Sequence, residues 1–270
     1  MNAEIELKQM NIEFGFPSRF YLSGHNMNSL IGKQVIINKI GLSCIECGKM
    51  IKKTYGLGNC YSCLKSSSIA VESIIRPELS QIHNGVALRD YEWEMKHHNV
   101  EHTLYLAVTS GLKVGIIGKT SNYRNRIASQ GAIQAIRILK FPNRYLAGLA
   151  LLSLKDHYSD KTNWRQMILE NAVKINWEKE KNNCFSVLEK VEELAPYINS
   201  DYIINEDEII LDYPYNSSRI RNLKSLNLER ETSTFIGTLT GIKAQYLIFN
   251  DHYVINVRRH SGLLVRLSTF

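Results

Sequence analysis

The chain has 270 residues, of which 44% are hydrophobic and 22% are charged, proportions that exclude wholesale disorder and a coiled-coil rod. Lys and Arg outnumber Asp and Glu by 33 to 26, so the formal charge of +7 is compatible with a polyanionic partner. The longest nearly apolar stretch, Tyr145 to Leu154, is about half a membrane crossing, and the chain start lacks the apolar core of a secretory signal. We therefore expect a cytoplasmic protein of roughly two or three compact units, with no membrane partner.

The first part of the chain alternates apolar and polar residues in patches between residues 5 and 40, which predicts a few strands. Two C-x-x-C pairs follow, Cys44 with Cys47 and Cys60 with Cys63, separated by a short basic loop. Together they supply the four thiolates that a tetrahedral, closed zinc site prefers. A disulfide pair is disfavoured in a reducing cytoplasm, and a thioredoxin-like redox site needs only one such pair. We therefore predict a structural zinc ribbon.

The middle of the chain predicts a β-hairpin over Leu104 to Ile117, a short helix over Tyr123 to Ser129 and a strand over Ala132 to Phe141. This region has no Asp or Glu between Glu101 and Asp156. Its basic residues are Lys113, Lys119, Arg124, Arg126, Arg137, Lys140, Arg144 and Lys155. Unopposed positive charge on one folded unit indicates a surface that binds phosphate groups.

Three further helices are predicted. The first runs from Asn143 through about Tyr158, the second begins after a cap at residues 160–164, and the third covers Trp177 to Glu193. The only other cysteine, Cys184, is predicted to be a small buried hydrophobe. Short apolar strands in residues 232–267 complete the chain.

The fold class predicted from these elements is α+β. We divide the chain into an N-terminal β segment with the ribbon (residues 1–100), a middle core with its following helices (101–200) and a C-terminal antiparallel β segment (201–270). The last segment is expected to pack on the N-terminal strands.

The order strand, strand, helix, strand, helix in the middle region resembles the GIY-YIG nuclease core. In that family the hairpin presents two aromatic-containing tripeptides, the next helix an Arg and a later helix a metal-binding Glu. Here residues 103–105 (Thr-Leu-Tyr) stand at the first tripeptide and residues 113–115 (Lys-Val-Gly) at the second, so the second tyrosine is missing. The resemblance implies that Tyr105 and Arg126 are vestigial catalytic residues or phosphate contacts.

Eight short stretches extend a second resemblance over nearly the whole chain. They are the double knuckle (44–63), 76–78, 91–93, 100–102, 112–116, 130–132, 160–164 and 241–248. In them the sequence is similar to an uncharacterised bacterial family, domain of unknown function 2797. That family has further cysteines where this chain has Ala70, Ser73 and Ser80. A second metal site is therefore not expected, and His83, His97, His98 and His102 are interpreted as scattered surface histidines.

The family's helix after the third strand carries a Glu in a Gly-Leu-x-Glu context, where this chain has Leu151. Leucine offers no lone pair to a divalent cation, so a GIY-YIG-type reaction would slow by about a thousandfold or more. Only an acid from another position, such as Asp156 or Glu101, could replace it. Phosphate affinity depends on the cations and would survive.

Three interpretations follow, and the first is favoured. It is a non-catalytic zinc-containing protein that binds RNA or DNA. The second is a Mg²⁺-dependent nuclease with a relocated carboxylate, and the third is an assembly protein whose basic surface meets an acidic protein. The residues predicted to bind nucleic acid are Lys113, Lys119, Arg124, Arg126, Arg137, Tyr61 and Lys65.

Overall fold

A computed structural model describes residues 2–56, 58–159, 161–169, 174–230 and 233–270. The predicted cap at Asp160 and the predicted strand start at Thr232 lie outside these residues. The chain divides into two compact units. The first unit consists of Met1–Ser67, Ala128–Gly131 and Leu211–Phe270, and the second of Ser68–Ile127 and Ala132–Ile210. The two ends of the chain therefore belong to one unit, whereas the sequence analysis divided the chain at residues 100 and 200.

The described residues form a mixture of strands and helices, which confirms the α+β class. The strands are β1 (Asn2–Glu6), β2 (Asn11–Glu13), β3 (Arg19–Leu22), β4 (His25–Asn26), β5 (Gln34–Leu42), β6 (His102–Val108), β7 (Leu112–Gly118), β8 (Gln134–Phe141), β9 (Ile209–Ile210), β10 (Lys224–Ser225), β11 (Thr234–Lys243), β12 (Tyr246–Phe249), β13 (Tyr253–Asn256) and β14 (Leu263–Thr269). The helices are α1 (Tyr61–Ser66), α2 (Tyr91–His97), α3 (Tyr123–Ser129), α4 (Arg144–Leu154), α5 (Trp164–Leu169) and α6 (Trp177–Leu188).

The first unit is built on a sheet with the strand order β1-β14-β5-β11-β12-β13-β10. Strand β5 lies between β14 and β11 and is antiparallel to both. Its alternation places Val35 and Ile37 in the core, where Ile37 is the register partner of Leu267. The N-terminal and C-terminal strands are thus hydrogen-bonded neighbours in one sheet. The cysteine pairs follow directly after β5.

The second unit contains an antiparallel sheet with the strand order β7-β6-β8-β9. Leu104 and Leu106 of β6 and Val114 of β7 belong to a buried apolar cluster that also contains residues of α4 and α6. Because side chains alternate along a strand, Tyr105 faces the opposite side of the sheet. This side therefore carries Tyr105, the hairpin residue to which the nuclease resemblance assigns a catalytic or phosphate-binding role.

The helix of greatest interest, α3, has the bounds that the sequence predicts. The Asn122 side chain accepts a hydrogen bond from the Asn125 backbone N–H at 3.0 Å, as expected of a helix cap. Asn143 likewise caps α4, but that helix ends at Leu154 rather than at Tyr158. The Tyr158 hydroxyl instead donates to a Glu180 carboxylate oxygen on α6 at 2.8 Å.

Within the described ranges, no helix combines the length and apolarity required to traverse a bilayer.

Candidate metal centre and nucleic-acid interface

The cysteine ribbon, defined as residues 43–66, brings the four predicted metal ligands together. The Sγ atoms of Cys44, Cys47, Cys60 and Cys63 all lie within 4.8 Å of one another, and no disulfide joins them. The Cys47 and Cys60 sulfurs are 4.0 Å apart. Ligands at the Zn–S distance of about 2.3 Å form a tetrahedron with edges of roughly 3.8 Å. The four thiols therefore fit one tetrahedral metal ion.

Backbone geometry aims these sulfurs at a common point. Gly48 adopts a left-handed conformation (φ 71°), and its N–H donates to the Cys44 carbonyl at 2.8 Å, closing the first knuckle. The Cys60 N–H donates to the Cys44 sulfur at 3.2 Å, and the Cys63 N–H donates to the Cys60 sulfur at 3.4 Å. Such bonds stabilise thiolates, which are the form that binds metal.

The pKa values of the thiols favour a bound cation at the four-cysteine site. Burial would raise the pKa of Cys44, but backbone N–H groups pointing at its sulfur outweigh burial and lower the pKa to about 6. Hydrogen bonding to Cys60 and Cys47 raises the pKa of Cys63 to about 12. Cys44 therefore loses its proton readily, whereas Cys63 keeps its proton because the thiol is hydrogen-bonded to the neighbouring sulfurs. A bound divalent cation removes this difference.

The outer face of the cysteine ribbon is aromatic and basic. Tyr61, the first residue of α1, is 61% exposed, and its ring contacts that of Tyr55 edge-on at a centroid distance of 5.5 Å. The Lys53 Nζ lies 4.7 Å from the Tyr55 ring centroid. Tyr61 and Lys65, which the sequence analysis predicts to contact nucleic acid, are both exposed, whereas that analysis did not single out Tyr55 and Lys53. The position of Tyr55 and Lys53 between the two cysteine pairs was the sequence feature that could have identified them.

The second unit presents three of the predicted phosphate contacts together. Lys119, Arg124 and Arg126 are all exposed within one turn and helix, here named the basic segment (residues 119–126). Arg126 also lies near Arg144, whose pKa burial lowers to about 10 with a further contribution from the Arg126 charge. Arg144 is fixed by donating to the Ser73 carbonyl at 2.8 Å. The charges of Arg126 and Arg144 therefore lie close to each other at the end of this segment.

Two predicted phosphate contacts are corrected by the structure. Lys113 is only 7% exposed, because β7 places it on a covered side of the sheet. The Arg137 guanidinium forms an ion pair with Glu206, with Nε 2.9 Å from Oε1, and its backbone N–H donates to the same carboxylate. The partner lies far along the chain, so the sequence did not reveal it. Lys113 is therefore withdrawn from the surface, whereas Arg137 is partly exposed but has its guanidinium paired with Glu206.

The prediction that Tyr105 contacts phosphate is also corrected, because this residue is fully buried. It faces Gly115 across the hairpin, and a Cβ on that glycine would lie 2.4 Å from the Tyr105 hydroxyl. Its ring also contacts Tyr123 edge-on at 5.6 Å. Glycine at 115 therefore leaves space for the tyrosine ring, and the hydroxyl is not placed to contact a phosphate in solvent.

Position 151, where the nuclease resemblance requires a metal-binding Glu, is a leucine. Leu151 packs against the apolar cluster on the sheet face opposite Tyr105. Asp156 is exposed beyond the end of α4. The pKa of Arg137 is raised mainly by hydrogen bonds with Glu206 and to a smaller extent by Glu101, so both acids lie near this cation. Glu206 is the closer, but both of its oxygens accept from Arg137.

The histidines are not all on the surface, as the sequence analysis proposed. His98 and His102 are each 1% exposed. His98 Nδ1 lies 3.4 Å from the Ser73 hydroxyl, and His102 Nδ1 lies 2.7 Å from the Val100 carbonyl. Among the described residues, the four cysteines are the group placed to hold a metal. The buried histidines belong to the packing of the second unit.

The two buried histidines should make the folded protein less stable in acid. Burial lowers the pKa of His98 to about 3 and that of His102 to about 4, whereas both take up protons near pH 6.5 in the unfolded chain. The free energy of unfolding should therefore decrease as the pH falls from about 6.5 to 4, by roughly 2 kcal/mol per histidine at pH 5. Urea denaturation at pH 8 and pH 5 measures this, and His102→Gln should weaken the dependence. Equal stability at both pH values would contradict it.

Comparison with known proteins identifies the family. Neither the curated proteins nor the solved structures give a significant match to the chain. The profile of a family described as protein of unknown function (DUF2797) matches residues 32–265, which include the cysteine ribbon and the basic segment. The chain therefore belongs to the DUF2797 family.

Proposed function

We propose that this protein binds RNA or DNA without cleaving it, and that its four cysteines hold a structural zinc ion. The observation that carries the proposal is the exposure of Lys119, Arg124 and Arg126 within a stretch of chain that has no acidic residue. Exposed cations release counterions when they neutralise phosphates, and this release drives binding.

Zinc is proposed because four sulfur ligands in a closed tetrahedral arrangement suit it. A closed site offers no coordination position to a substrate, so its role is to hold the cysteine ribbon in shape. In doing so it positions Lys49, Lys52, Lys53 and Lys65, all exposed, as a second set of cations. Each set can contribute phosphate contacts independently.

The absence of cleavage is proposed because the position of the expected metal-binding Glu is occupied by Leu151. The GIY-YIG resemblance requires an acid to hold a divalent cation beside the phosphate, and position 151 is a leucine facing the apolar cluster. Glu206 lies near Tyr123, but Arg137 occupies its oxygens. Tyr105, which would activate water, is buried. These features favour binding alone.

The proposal is tested by scoring bound and cut nucleic acid in the same samples. Labelled structured RNA, duplex DNA and single strands are incubated with the metal-loaded protein, with and without Mg²⁺ or Mn²⁺. We expect retarded but intact nucleic acid under all conditions. A product that requires the divalent ion and disappears with Arg126→Ala would establish the nuclease instead. Absence of binding to every nucleic acid would favour an assembly protein.

A further inference from the structure

The exposed aromatic face of the cysteine ribbon points to a particular class of nucleic acid. We infer that Tyr61 stacks on an unpaired base, so that the protein selects single-stranded segments of RNA or DNA over duplex. This inference rests on the proposed function, since it names which form of nucleic acid that function would use.

The position of Tyr61 favours a stacking role over a covering role. A tyrosine that only shields the metal would be largely buried against it, whereas Tyr61 is 61% exposed. Its neighbour Tyr55 is half-buried and meets it at an interplanar angle of 62°, a T-shaped contact. Such an edge contact steadies one ring against the other while leaving exposed area on Tyr61.

The surrounding charge fits a nucleic-acid strand. Lys65 follows Tyr61 by four residues on α1, so both project from the same side of the helix. Lys53 lies over the Tyr55 ring at 4.7 Å. The ribbon's single acid, Glu46, is outnumbered by its four exposed lysines. A strand with a base stacked on Tyr61 would therefore run along a surface rich in ammonium groups.

Stacking on an exposed tyrosine ring selects for unpaired bases. In a duplex both faces of each internal base are covered by neighbouring bases, so a tyrosine cannot reach them. Every base has a flat face, so this contact tolerates any sequence and adds affinity only where strands are open. Duplex binding would depend on the lysines and arginines alone.

The test compares single-stranded and duplex oligonucleotides of the same sequence with metal-loaded protein at one salt concentration. By fluorescence anisotropy, Tyr61→Ala should weaken binding to single-stranded RNA and DNA about tenfold and change duplex binding by less than about twofold. Tyr61→Phe, which keeps the ring, should bind like the unsubstituted protein. Tyr91→Ala removes a tyrosine that is 53% exposed on α2 of the second unit and serves as the matched control. Metal content should be unchanged in all variants.

The outcomes separate this inference from the proposed function. If duplex and single strands bind equally and Tyr61→Ala alters neither, the protein binds nucleic acid but the stacking role is wrong. If Tyr61→Phe loses as much affinity as Tyr61→Ala, the hydroxyl rather than the ring makes the contact, and stacking is again wrong. If the unsubstituted protein binds no oligonucleotide, both the inference and the proposed function fail.

Discussion

Removal of the metal is expected to unfold the cysteine ribbon and leave strands β6–β8 intact. Between residues 44 and 66, the buried residues among those described are Cys44, Gly58 and Asn59, which is too little apolar burial to hold a loop-rich segment in shape. Structural zinc contributes about 10–16 kcal/mol of apparent binding free energy in small domains. Loss of that contribution exceeds any other single effect predicted for this chain.

Elemental analysis and amide hydrogen exchange check this expectation. The purified protein should contain one zinc ion per chain, and Cys44→Ser should lose it. In the variant, or after chelation, amides of the ribbon should exchange rapidly while those of β6, which lies centrally in its own sheet, remain protected. Cys184→Ala is the matched control, because Cys184 is buried in the apolar cluster and should not affect metal content. Full ribbon protection without metal would refute the structural role.

Reversal of two charges in the basic segment is expected to produce the largest loss of nucleic-acid affinity. Arg124→Glu combined with Arg126→Glu removes two exposed cations and adds two anions beside Lys119. Affinity for a single strand at low salt should fall at least tenfold. The slope of log affinity against log salt should become shallower by about 1.4, because each lost phosphate contact contributes about 0.7.

The control for this variant makes the same change in net charge elsewhere in the second unit. Lys179→Glu with Lys190→Glu alters two exposed lysines of α6 and the turn after it, outside the basic segment. This control should retain most of the affinity, and circular dichroism should show both variants folded. Equal losses in the two variants would mean that binding follows total charge rather than the basic segment.

Local sequence patterns were sufficient to predict the elements around the site. The hairpin and α3 could be identified because alternation, a turn at Ser110 and Gly111, and an Asn cap all act within a few residues. The cysteine pairs were equally clear, since two knuckles of fixed spacing leave few ways to bring sulfurs together. The four sulfurs do cluster in the structure.

Contacts between distant parts of the chain could not be predicted. The burial of Lys113 depends on what covers its side of the sheet, and the role of Arg137 depends on Glu206. Nothing near Arg137 in the sequence marks it as paired. Counting basic residues in the acid-free stretch therefore overestimated the open positive surface. The exposed cations of that stretch are Lys119, Arg124, Arg126 and Lys155.

The sequence analysis expected two or three units and packing between the two ends of the chain, but local patterns could not give the boundaries of the units or the strand order. Alternation predicted strands near both ends of the chain, but their register and order arise from long-range pairing such as Ile5 with Val265. The helix after Asn143 was predicted too long because the helical spacing continues to His157. In the structure the chain turns after Leu154 and lets Tyr158 bond to α6.

The salt dependence of binding tests the central claim most directly. Affinity of the unsubstituted, metal-loaded protein for one single-stranded oligonucleotide should be measured between about 50 and 200 mM salt. If Lys119, Arg124 and Arg126 neutralise three phosphates, log affinity should fall linearly with a slope of about −2, and contacts from the ribbon lysines would make it steeper. A slope near zero, or no binding at the lowest salt, would contradict a phosphate-binding surface in this protein.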